Sequence, residues 1–128
     1  VEFAAAQGRT FTAEPLQPTE QLTLGGVKLT TFFPGAGHAP DNIVVMLPTQ
    51  RVLFGGCFIK SAAASDLGNV SDADIGAWAA SLKRLTTWVA ALEDKEVRSP
   101  LMVVPGHGGF GGLRLIAHTE EVVGQARR

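Results

Sequence analysis

The sequence has a single cysteine, Cys57, in 128 residues, which excludes an internal disulfide framework. It has no excess of charge: 11 Lys and Arg face 12 Asp and Glu, for a net charge of −1. A polybasic surface is therefore absent, and neither nucleic acid nor an anionic membrane is the partner to expect. Long apolar runs are missing too. The apolar runs are short segments such as Ile43–Leu47 and Leu101–Val104, far short of the roughly 20 residues a membrane span needs, so no membrane insertion is expected. The chain has no internal repeat, and its length suits one domain, which can bury roughly two-thirds of its unfolded surface. It opens on Val1, and its only methionines are Met46 and Met102. Val1–Ala6 has no basic segment before an apolar core, so it does not read as a signal peptide. The expectation is a processed chain or a piece of a longer one.

What is present is a series of short elements punctuated by 15 glycines and seven prolines. Val1–Gln7 reads as the last turns of a helix ended by Gly8. Leu22–Leu24 and Val27–Phe33 flank Gly25-Gly26, the pattern of two strands joined by a tight turn. Ile43–Leu47 and Val52–Phe54 read as further strands, followed by a hydrophilic loop through Asn69. Ser71 resembles a helix N-cap, with Asp74 as its capping-box partner. Ile75, Trp78, Ala79, Leu82, Leu85, Val89 and Leu92 then recur at helical spacing, which makes Trp78 and Trp88 packing residues. A charged connector, Glu93–Pro100, leads to a strand at Leu101–Val104. Gly108–Gly112 reads as a flexible loop and Leu113 to about Arg127 as a closing helix. The order implies an α/β or α+β fold, a sheet with helices packed on one face.

Three residues carry chemistry, each just after a predicted strand and beside glycine: His38, Cys57 and His107. Imidazole and thiolate are the usual zinc ligands, and three strand ends can converge if the strands are neighbours in one sheet. No two of them are close enough in sequence for a zinc finger. Taken singly, each is more simply a buried or surface residue, so the surrounding strings must decide.

Those strings are Gly37-His38, Asp41-Asn42-Ile43-Val44-Val45, Leu53-Phe54-Gly55-Gly56-Cys57-Phe58-Ile59-Lys60-Ser61, Leu67-Gly68-Asn69-Val70-Ser71-Asp72-Ala73-Asp74, Trp78, and Val103-Val104-Pro105-Gly106-His107-Gly108. In kind and order they resemble the metallo-β-lactamases, specifically subclass B1, from about Gly25 onward. The resemblance implies an αββα sandwich of which residues 1–128 form the C-terminal half, with a mixed sheet and helices on its outer face. It implies two zinc ions in the intact domain. His38 would be the third ligand of a three-histidine zinc; Cys57 and His107 would be two ligands of the other. Lys60 would meet the carboxylate of a β-lactam, Asn69 would polarise the lactam carbonyl, and Asp41 would support His38 or its loop. The reaction implied is hydrolysis of the β-lactam amide by a zinc-activated water, in the periplasm or outside the cell.

The family's upstream His-x-His-x-Asp motif is absent from this sequence. The remaining histidine, His118, reads as solvated or helix-packing. Half of the ligands must then come from elsewhere, and a complementary N-terminal half or a second copy is the expected partner. Two alternatives stand beside the lactamase reading. One is a thioester hydrolase of the glyoxalase II kind, which usually has a bridging Asp where Cys57 stands. The other is an inactive fragment. The long charged stretch Ala90–Pro100 and the glycine-rich loop with Phe110 at its tip are departures that bear on substrate access.

Overall fold

A computed structural model describes residues 7–8, 17–93 and 101–128. The helix end read at Val1–Gln7 and most of the charged connector lie outside these residues. Five strands form one sheet in chain order: β1 (Thr19–Leu24), β2 (Val27–Phe32), β3 (Val44–Leu47), β4 (Val52–Gly56) and β5 (Met102–Pro105). The first three pairings are antiparallel, and β4 pairs with β5 in parallel. Helix α1 (Ile75–Glu93) lies between the two parallel strands in sequence, and α2 (Arg114–Ala126) closes the chain. The mixed sheet with two helices is the α+β arrangement expected.

The β1–β2 hairpin turns on Gly25 and Gly26, at φ 55° and 80°. Two consecutive positive φ values are what a type I′ turn demands, and glycine adopts them without a Cβ penalty. Register then sorts the side chains. Met46 lies opposite Leu53, and Leu53 opposite Val103. All three are buried, with Val44, on the face against which Trp78, Leu82, Leu85, Val89, Leu115, Ile116, Val122 and Val123 pack. Because side chains alternate along a strand, the intervening residues turn the other way. Leu22, Leu29, Val45, Leu47, Val52, Phe54, Met102 and Val104 form that second face. Phe54 and Met102 there are 44% and 40% exposed. Among the described residues the sheet is thus apolar on both sides, and helices cover one of them.

Three expectations are corrected. The helix N-cap is Asp74, not Ser71: Asp74 Oδ1 accepts the Ala77 amide at 2.9 Å, and the helix begins at Ile75. Ser71 instead gives its amide to Asn69 Oδ1 at 3.0 Å, inside a turn. The segment after β4 is not simply hydrophilic, since Phe58, Ile59 and Leu67 are buried in the core. The glycine-rich loop is tied rather than flexible at its end, because Gly111 and Val103 exchange both backbone hydrogen bonds, at 2.7 and 2.9 Å. Glycine content signals conformational range, but a paired backbone removes that range.

Replacing Asp74 with Ala should lower stability by about 1 kcal/mol, the usual worth of an N-cap, whereas Ser71→Ala should change it by less than about half that. Urea unfolding of the complete protein distinguishes them; equal losses would return the cap to Ser71.

Candidate metal centre and substrate cleft

The parallel pairing of β4 and β5 sets two of the three candidate ligands side by side. At the end of the pair the register shifts, with Gly56 opposite Pro105. Gly106 donates its amide to Gly56 O at 2.7 Å. The next residue on one strand is Cys57, and beyond Gly106 on the other comes His107. The approach is so close that a Cβ on Gly106 would lie 2.6 Å from both the amide nitrogen and Sγ of Cys57. Only glycine fits there. Cys57 is a free thiol, half-buried, and His107 is exposed.

His38 reaches the same place from the loop between β2 and β3. Its ring meets the Trp78 ring edge-on at 6.0 Å, and Trp78 in turn stacks on Phe58 at 6.0 Å. The Trp78 indole donates to Phe58 O at 3.1 Å. His38 Nδ1 is buried with no hydrogen-bond partner. Burial pushes the His38 pKa below the ordinary imidazole value, and the nearby Lys60 charge pushes it the same way. Asp72 opposes this and His107 adds to it. Burial and the Lys60 charge both favour the neutral ring, the form in which imidazole binds a metal.

Lys60 is half-buried. Its ammonium donates to Leu67 O at 2.7 Å and lies 5.5 Å from the centre of the Trp78 ring. Burial lowers its pKa, with Cys57 and Asp66 opposing. An ammonium has three donors, so one hydrogen bond leaves two for an incoming anion. The Lys60 amide is fixed by Thr119, a fully buried residue of α2 whose hydroxyl accepts it at 2.9 Å. Asn69 is exposed, and its Oδ1 is engaged by Ser71, which leaves its amide nitrogen as the side-chain donor.

A cleft of about 380 Å³ is lined by His38, Cys57, Lys60, Leu67, Gly68, Asn69, Ser71, Asp72 and His107. The fold therefore brings together all five residues assigned to metal and substrate. Asp41 is exposed and does not line the cleft; its neighbour Asn42 holds the His38 loop, accepting the Ala39 amide at 3.0 Å and donating to Gly35 O at 2.9 Å. Trp78, taken as packing alone, is buried and also walls His38. Trp88 stacks on Phe32 at 4.6 Å, away from the cleft. His118 bonds Ala64 O at 2.8 Å and so fastens the 61–66 segment to α2.

Two imidazoles and a thiol are the donor set zinc prefers, and an orphaned buried imidazole nitrogen fits a ligating ring. Yet among the described residues no three His, Cys, Asp or Glu side chains gather so as to hold a metal ion by themselves. The donors fit a zinc site in kind and fall short of one in number.

No family model matches the sequence, but individual proteins do. The chain is 45% identical over 125 residues to a type 2 metallo-β-lactamase of Bacteroides fragilis. That alignment takes in 98% of this chain and 47% of the relative. The chain belongs to the metallo-β-lactamase family. A solved metallo-β-lactamase from Pontibacter korlensis superposes with a TM-score of 0.76 at 34% identity, over 96% of this chain and 54% of that one. The FIM-1 metallo-β-lactamase of Pseudomonas aeruginosa, solved in a mono-zinc form, gives 0.74 at 30% identity, over 98% of this chain and 52% of that one. The chain thus spans about half the length of the metallo-β-lactamases it matches.

In metal-free protein, the His38 ring should titrate below ordinary histidines, and Lys60→Met should raise its midpoint without fully restoring it, since burial is the larger cause. Because the folded pKa is the lower one, stability tied to this ring is intact above the ordinary imidazole pKa. It declines as pH falls from there toward the lowered value. Histidine NMR across that range checks both signs, and a Lys60→Met midpoint that stays or drops would refute the assignment.

Proposed function

We propose that this chain contributes the Cys57 side of the active site to a zinc-dependent β-lactam hydrolase. The observation that carries the reading is the convergence of His38, Cys57 and His107 with Lys60 and Asn69 on one cleft, in a chain similar to metallo-β-lactamases over nearly all its length. The mono-zinc form of the Pseudomonas aeruginosa relative supports zinc as the ion. His38 would serve one metal position, Cys57 and His107 a second. Bound zinc supplies Lewis acidity and a water that deprotonates near neutral pH.

The chain's own residues do the rest. Lys60 offers its two remaining donors to the carboxylate that β-lactams carry, and its half-buried setting strengthens that charge pairing relative to a solvated lysine. Asn69 stands on the rim with an amide donor for the lactam carbonyl, which gains negative charge as it is attacked. Phe58 and Trp78 back His38 with apolar surface and keep water from competing for the ring. Cys57 itself weighs against the thioesterase alternative, in which an Asp occupies that place. Penicillins, cephalosporins and carbapenems are the proposed substrates, and export to the periplasm or beyond would place the site where they arrive.

The apolar second face of the sheet and the missing ligands support one further part of the reading. A complementary half that covers Phe54, Met102, Val45 and Val104 would bring the remaining ligands with it. In a sandwich the two inner faces interdigitate at about 10 Å, so burial of this face and completion of the metal centre would be one event. A second copy of this chain would cover the face yet bring no His-x-His-x-Asp ligands.

The complete protein should hydrolyse nitrocefin or a carbapenem, and a chelator should abolish turnover with zinc restoring it. Residues 1–128 alone should show none; turnover there would refute the need for a second half, and chelator-insensitive turnover would refute the metal. Lys60→Ala should raise KM about tenfold or more while changing kcat less, as loss of a hydrogen bond to a charged group implies.

A further inference from the structure

The loop that carries His38 runs between β2 and β3 without regular structure, yet the carbonyls of residues 34–37, leading into His38, are all partnered. Asn42 takes Gly35 O, and the Asp74 amide donates to Gly37 O at 2.8 Å. The other two are held by side chains of α1. Arg84 Nε donates to Pro34 O, and Ser81 Oγ donates to Ala36 O at 2.6 Å. Arg84 Nη2 also donates to Ser81 Oγ at 3.0 Å. A guanidinium, a hydroxyl and a carbonyl thus stand in series, joining residues 45 and 50 positions apart.

We infer that Ser81 and Arg84 are positioning residues for His38, a clamp that fixes the loop so that the imidazole is delivered to the metal in one orientation. Three observations converge on it. Ser81 is fully buried on the core-facing side of α1, where an apolar residue would otherwise serve. Its hydroxyl has a helix carbonyl available, Ala77 O at 3.2 Å, but makes the shorter bond to the loop. And the loop has given up a side chain to admit the clamp: Gly35 has φ +119°, and a Cβ there would lie 2.6 Å from Ser81 Oγ and still closer to the guanidinium. Directly before His38 the loop is equally committed. A Cβ on Gly37 would come within 2.5 Å of the Phe58 ring and 2.9 Å of Trp78. The loop leading into His38 is therefore fixed by hydrogen bonds at Pro34 and Ala36 and by packing at Gly37. Donation from a charged guanidinium strengthens the hydroxyl as a donor in turn, so the pair acts as one unit.

This inference rests on His38 being a metal ligand, and groups that orient a ligand are typically worth 10–100-fold in metal affinity. The test uses the complete protein with Co²⁺ as probe, and the His38 ring resonances of the metal-free protein as a readout independent of metal. Ser81→Ala and Arg84→Lys, the latter keeping the charge but not the forked geometry, should each weaken Co²⁺ binding about tenfold and shift or broaden the His38 resonances. The double variant should lose less than the product of the two. Lys83→Ala, on the exposed side of α1, should do neither. Wild-type Co²⁺ affinity and an unchanged His38 ring in both variants would overturn the clamp, even if their melting temperatures fell. A wild-type protein that binds no Co²⁺ defeats the metal-ligand reading instead. In that case the His38 resonances still decide whether Ser81 and Arg84 hold the ring.

Discussion

Parallel pairing of β4 with β5 is the constraint on which the site depends. Strands that run the same way end on the same edge, so residues that follow them are neighbours however far apart they lie in the chain. Cys57 and His107 are brought together in this manner, and the bare backbone of Gly106 lets the two strand ends close up. The crossover that parallel pairing requires is α1. That same helix supplies Trp78, Ser81 and Arg84 to the third candidate ligand, His38. One topological choice therefore sets the candidate ligands on the rim and places the support behind them.

The core lies directly beneath the cleft, and Leu67 belongs to both. Phe58 and Ile59 directly follow Cys57 and are buried, and Leu67, buried too, gives its carbonyl to Lys60. Thr119 sits fully inside the protein on α2, yet its hydroxyl fixes the Lys60 backbone. Preorganisation here is made from packing. Groups that must hold position against a ligand are anchored through backbone atoms to elements that cannot move without opening the core.

The sequence disclosed what depends on local pattern. The Gly25-Gly26 turn and the helical stripe beginning at Ile75 each follow from short-range rules, and each appears in the fold. The strings around His38, Cys57 and His107 disclosed the family. Other features stayed hidden because they rest on contacts between distant segments. Nothing near Ser81 announces that its hydroxyl reaches Ala36, and nothing near Thr119 points to Lys60. Ser71 and Asp74 both satisfy the chemistry of an N-cap, so the choice fell to where the backbone turns. Phe58, Ile59 and Leu67 were read among polar neighbours as loop, whereas burial made them core.

The segment from Cys57 to Asp74 joins a fixed floor to a variable rim. Phe58, Ile59 and Leu67 are closed in, while Asn69 and Val70 face solvent. Substitutions in the floor disturb folding and chemistry together and would be purged for either reason. Changes on the rim meet no such double penalty. Diversification of what this cleft accepts is thereby channelled to a few outward positions, and the architecture that limits the pocket also makes it adaptable.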